Sequence, residues 1–152
     1  MKNGSNIKPK MTFPTKSFTI TFVSADLAAS TRFATAIGLK DNGSCGDAGA
    51  FANFVYTESA SIIYTTHEEF IKWLPPGRQV TSTATSNEMI VTFSVGSKEE
   101  VDALIEKGIE AGGKRGPLMV PDENTWGLYS RSVEDPDGHL FEIIYHDPKG
   151  QC

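Results

Sequence analysis

The chain has 152 residues, 39% hydrophobic and 22% charged, which suits a globular protein of one domain or two small modules sharing a core. Its formal net charge is −5, and residues 1–16 hold Lys2, Lys8, Lys10 and Lys16 without an acid, so the remainder carries −9. So acidic a body offers no phosphate-binding face and argues against a nucleic-acid partner, and no apolar run is long enough to cross a membrane.

Residues 1–16 lack an apolar h-region, so they do not read as a secretory signal; their composition suggests a flexible tail. Cys45 and Cys152 make no disulfide framework, which points to a reducing, cytoplasmic setting. The β-rich run Ile20–Val23 leads to Asp26, a helix N-cap residue. The next residues place Leu27, Ser30, Ala34 and Ile37 on one helical face, and Gly38 can end the helix. Strands are expected at about Ala50–Thr57 and Ser61–Thr66, with a further strand open in the Gly-rich stretch 41–49. A short helix is expected over Glu68–Leu74, stopped by Pro75-Pro76-Gly77. The polar segment that follows is either a loop over a site or a solvated connector.

The second half repeats the pattern. Val91–Val95 is β-rich, Ser97 is an N-cap, and Glu100 completes a capping box. Val101, Leu104, Ile105 and Gly108 form a 3.6-period face that ends at Gly112-Gly113. Strands at about Gly127–Val133 and Leu140–His146 flank the tight turn Asp135-Pro136-Asp137-Gly138. Asp26 and Ser97 stand 71 residues apart, as do Phe22 and Phe93, and Phe33 and Leu104. Each half therefore reads βαβββ, a duplicated unit in which each copy needs its sister to bury its sheet. The expected division is a tail over 1–16 and one domain over 17–148, with module 1 at about 17–67, a linker over 68–87 and module 2 at about 88–148.

Glu142 is the first candidate for chemistry. Period-2 alternation sets it between Leu140 and Ile144 on an apolar strand face, where a carboxylate needs a metal, a cation, a hydrogen-bond donor or water. It reads as a general base or lone ligand, against an acid merely held by neighbouring hydroxyls. Tyr129 and Arg131 share one face of the preceding strand and could bind a substrate's polar group or stabilise an oxyanion; Arg131 could equally pair with an acid such as Glu142. Glu88 could share a cavity with Glu142, and His67 has the chemistry for proton transfer. Tyr64 and Trp126 could line an aromatic pocket. His139, directly after the turn glycine, reads as structural and His146 as exposed. HEEF is not HExxH because position 71 is Ile, and the DPDG turn lacks the further oxygen ligands of a calcium loop.

The two βαβββ halves, the helix opening at "SADLAAS", and the segments "YTTHEEF", "SVGSKEEVDALIEKGIEAGGK" and "YSRSVEDPDGHLFE" resemble the vicinal oxygen chelate superfamily over roughly residues 18–148. That superfamily includes glyoxalase I, extradiol dioxygenases and bleomycin-resistance proteins, and the nearest resemblance is to its predicted lactoylglutathione lyase-like group. The resemblance implies an α+β fold, two βαβββ modules forming a curved, open barrel-like cup, and a homodimer. It also implies four metal-ligand positions: Thr19, Ile63 or Tyr64, Ile90, and Glu142. Only Glu142 is a ligand type, so the cofactor is either none or a divalent metal ion. The expected function is a glyoxalase-like enzyme acting at a carbonyl or enolisable group by lyase, isomerase or dioxygenase-type chemistry, with metal-independent catalysis left open. The alternative is a metal-free protein that sequesters a small organic ligand, as bleomycin-resistance proteins do.

Overall fold

The computed structural model describes residues 16–43, 49–121 and 127–149. Trp126, Cys45 and Cys152, singled out from the sequence, lie outside the described residues. The first module runs β1 (Phe18–Val23), α1 (Leu27–Ala36), β2 (Lys40–Asp41), β3 (Phe51–Thr57) and β4 (Ala60–Thr65). The helix α2 (His67–Ile71) opens the connector. The second module runs β5 (Ile90–Ser94), α3 (Lys98–Glu110), β6 (Lys114–Arg115), β7 (Leu128–Glu134) and β8 (Leu140–His146).

The helices begin where the sequence places their caps. The Asp26 carboxylate accepts the backbone N–H groups of Ala28 and Ala29, and the Ser97 hydroxyl accepts that of Glu100. The Glu100 carboxylate reaches back to the N–H of Gly96, one residue further than a standard capping box. Gly38 and Gly112 end the two long helices with positive φ, a conformation that glycine adopts without Cβ strain. The connector helix is shorter than expected: Thr66 caps it, and it ends at Ile71.

The strands form two four-stranded sheets of the same topology, ordered β1-β4-β3-β2 and β5-β8-β7-β6. In each, the first strand of the module runs parallel to its last, and the remaining pairs are antiparallel. Phe22, Phe54 and Tyr64 of the first sheet and Val133, Phe141 and Ile143 of the second belong to one continuous core. Phe33 of α1 joins them, its ring 5.6 Å from that of Phe141. Burying each such side chain is worth roughly 1.5–3 kcal/mol, which is why neither module stands alone. The two long helices meet at Gly108, where a Cβ would lie 2.8 Å from Ile37 Cγ2.

Candidate functional site

The strand faces turned away from this core mix hydrocarbon with a few polar groups. On the first sheet the Thr19 and Ser61 hydroxyls, directly opposite in register, are 2.7 Å apart. On the second, Glu142 is half-buried and both its oxygens are occupied. Oε2 accepts the hydroxyl of Thr92 at 2.7 Å, and Oε1 that of Ser130 at 2.6 Å. Thr92 pairs with Glu142 across the β5–β8 ladder, so its donor is set by register. Charge-assisted bonds of this kind contribute roughly 1.5–3 kcal/mol each. They compensate the acid that looked out of place on an apolar face.

Tyr129 and Arg131 do not join Glu142. The turn pairs Ser132 with Glu142 and Arg131 with Ile143, which sends Tyr129 and Arg131 to the opposite face, toward α3. There the Tyr129 hydroxyl donates to Asp102 at 2.9 Å, and the Arg131 guanidinium lies 4.1 Å from the Tyr129 ring centroid. Arg131 Nε is 3.9 Å from Asp102, so its acidic neighbour is Asp102 and not Glu142. Glu88 and Glu142 are also apart, since Glu88 belongs to a different cavity.

That cavity, of about 710 Å³, lies between the end of β1, the connector and the β7–β8 turn. Phe22, Phe70, Leu74, Val80 and Met89 supply apolar wall; His67, Glu88, Asp137 and His139 supply titratable groups, alongside several Ser and Thr hydroxyls. Among the described residues no Lys or Arg lines it. The connector is fastened over it by two contacts. The Thr83 hydroxyl donates to the carbonyl of Asp137, and Asn87 Nδ2 to that of Gly138 at 3.1 Å. Gly138 is required here twice over, by its φ of +95° and by Thr83 O, which would lie 2.9 Å from a Cβ.

His139, expected only to serve the turn, lines this cavity, and behind it lies Asp135. The Asp135 carboxylate is buried and receives four donors. Oδ1 accepts the backbone N–H of Asp137 at 3.0 Å and of His139 at 2.8 Å. Oδ2 accepts the Tyr64 hydroxyl at 2.9 Å and lies 2.7 Å from His139 Nδ1. A carboxylate only accepts, so Nδ1 carries the proton. Tyr64 is fully buried and does not line the cavity, contrary to its expected place in a ligand pocket. Desolvation first, then the charge and hydrogen bond of Asp135, push its phenol well above its ordinary range, so it stays a donor. The sequence did carry a signal for the pair: Asp and His four residues apart across a tight turn.

Asp135, Asp137 and His139 bring three ligand-type atoms within 4.8 Å of one another, the one such group among the described residues. It is not a good metal site. Four donors already fill the Asp135 carboxylate, and the Asp137 carboxylate takes the N–H of Ala25 at 3.0 Å and the hydroxyl of Ser30 at 3.3 Å.

Neither protein-family models nor curated proteins match this sequence. Solved structures do. A glyoxalase-related enzyme from Fulvimarina pelagi superposes with a TM-score of 0.68 at 23% identity, covering 91% of this chain and 96% of that one. A glyoxalase/bleomycin resistance protein/dioxygenase family enzyme from Burkholderia phytofirmans gives 0.65 at 22% identity, over 84% and 95%. The fosfomycin resistance protein FosX from Listeria monocytogenes gives 0.63 at 22%, over 90% and 95%. This chain has the glyoxalase/bleomycin-resistance fold.

Within the glyoxalase/bleomycin-resistance fold, the four expected metal positions can now be tested against their surroundings. Thr19 is engaged with Ser61, Ile63 is hydrocarbon, Ile90 is an exposed hydrocarbon, and Glu142 is held by two hydroxyls. A Zn, Ni or Fe site needs three or more His, Asp, Glu or Cys donors. This donor set does not fit one. Among the described residues no helix is long and apolar enough to cross a membrane.

Proposed function

We propose that this protein binds a small organic molecule in the cavity beneath the connector and acts on it as an enzyme, by proton transfer at a carbonyl or otherwise enolisable group, without the four-ligand metal centre that the resemblance implies. The observation that supports this is the cavity itself. It has the size and the mixed lining of a small-molecule site, with an apolar wall and a few convergent polar groups. With acids and no Lys or Arg among the described residues of its wall, it favours a neutral or cationic ligand over an anionic one. Of the residues expected from the sequence, His67 and Glu88 lie in this cavity, and Glu142, Arg131, Tyr129 and Tyr64 do not.

A thermal-shift screen of neutral and cationic aromatic and carbonyl compounds tests the reading. Ligands should raise the melting temperature of wild type and of Glu142→Gln alike. They should fail to do so in Ala84→Trp, which fills the cavity from the connector side. Binding lost in Glu142→Gln and kept in Ala84→Trp would return the site to the strand face that carries Glu142. Binding without turnover in wild type would favour the sequestering alternative, which rests on the same cavity.

A further inference from the structure

We infer that His139 is the general base of the connector cavity, with Asp135 as its positioning residue and Tyr64 fixing Asp135 from the other module. The inference rests on the cavity reading and adds the group that does the chemistry. Three observations carry it. Nδ1 is held by a buried carboxylate, which places the lone pair on Nε2. Nε2 has no hydrogen-bond partner among the described residues, and His139 lines the cavity. The ring is clamped flat against Phe22, centroids 4.1 Å apart and planes at 29°, with Tyr64 edge-on at 6.2 Å. A brace for the turn would need only the backbone bonds to Asp135; a ring fixed in tautomer and plane with one nitrogen facing a cavity is what general-base catalysis requires.

The chemistry balances without a further reactant. Nε2 takes a proton from an acidic C–H or O–H of a neutral or cationic organic ligand. Asp135 stabilises the imidazolium, and the proton returns to a second atom of the same molecule. The other titratable groups on the cavity wall are Asp137 on the turn, His67 on α2 and Glu88 at the end of the connector, and Tyr64 of β4 stands edge-on to the ring.

A probe of known chemistry tests this: 5-nitrobenzisoxazole, a neutral aromatic carbon acid. Its C3 proton passes to the base, the C–H electron pair completes the nitrile, and the N–O bond breaks to give a coloured phenolate. Wild type should saturate with the probe and exceed free imidazole at equal concentration by about 10²-fold. His139→Gln should keep its fold by circular dichroism, still bind the probe by NMR shifts, and lose that advantage, while His146→Gln keeps it. Asp135→Asn should lower kcat with KM little changed. If His139→Gln fails to fold, diethyl pyrocarbonate on wild type serves instead: it should modify His139 and abolish turnover, and the probe should protect. Equal turnover by wild type and His139→Gln, with the probe bound to both, overturns the inference and leaves the cavity reading standing. A probe that does not bind wild type overturns both.

Discussion

Asp135 and Glu142 lie on one β-hairpin, the first opening its turn and the second on the returning strand β8, and each is a carboxylate held by side-chain hydrogen bonds. Their partners differ in kind. Glu142 is held by the hydroxyls of Thr92 and Ser130, both on its own sheet. Asp135 is held by a tyrosine from the other module and by a histidine that lines a cavity. Hydroxyl partners do not titrate in the physiological range, so the Glu142 cluster satisfies an acid and stops there. An imidazole partner can accept and release a proton, so the Asp135 cluster can do work. An acid's depth in a strand is thus a weaker guide to function than the identity of what holds it.

The sharpest way to break the comparison is to remove each acid. Asp135→Ala leaves the Tyr64 hydroxyl, His139 Nδ1 and two backbone N–H groups without their acceptor, in a site that is almost dry. It should cost roughly 3–5 kcal/mol, the range for removing one partner of a buried pair. Urea unfolding measures it, and a loss under about 1 kcal/mol would show that the cluster holds nothing together. Gly138→Ala should come next, at roughly 1–3 kcal/mol, because it strains a residue at φ +95° and drives a methyl into Thr83 O. It should also free the connector, read as faster proteolysis within residues 78–87; unchanged cleavage would argue that the connector is not fastened there. Glu142→Gln keeps its shape and can still accept one hydroxyl, so about 1 kcal/mol is expected. A loss as large as that of Asp135→Ala would erase the distinction drawn between the two acids.

Much of this was legible in the sequence, and what was not has identifiable causes. The caps Asp26 and Ser97, the stops Gly38 and Gly112, and the β7–β8 turn act through contacts within a few residues, so the string alone reveals them. The duplicated modules show because a 71-residue offset relates the end of β1 and the helix α1 to the end of β5 and the helix α3. Arg131 and Tyr129 depart from expectation for a different reason. Alternation fixes the faces within each strand, but the register across the hairpin, which the turn sets, places them on the opposite face from Glu142. The cavity was out of reach, since it depends on where Thr83 and Asn87 of a polar segment dock. The Asp135–His139 contact was local and readable, but its weight comes from Phe22 and Tyr64, which only the tertiary fold brings in.

The smallest expected effect is the one that separates the two acids by pH. Tyr64→Phe removes one of four donors to Asp135 and should cost about 0.5–1.5 kcal/mol at neutral pH. In the unfolded chain the phenol ionises near pH 10. In the folded protein its pKa is raised, so the folded state binds that proton more tightly. The stability this provides is full below about pH 10 and is lost as pH rises from there through the folded value. Tyr64→Phe has no such proton to lose. Its deficit against wild type should therefore shrink above about pH 10 and then reverse, in unfolding curves recorded across the alkaline range. Tyr56, also raised by desolvation and then by Glu100, is present in both proteins and drops out of the difference. Glu142→Gln, whose partners are hydroxyls, should keep the same deficit over that range. A Tyr64→Phe deficit that is equally flat would mean that burial and Asp135 together do not hold the phenol's proton.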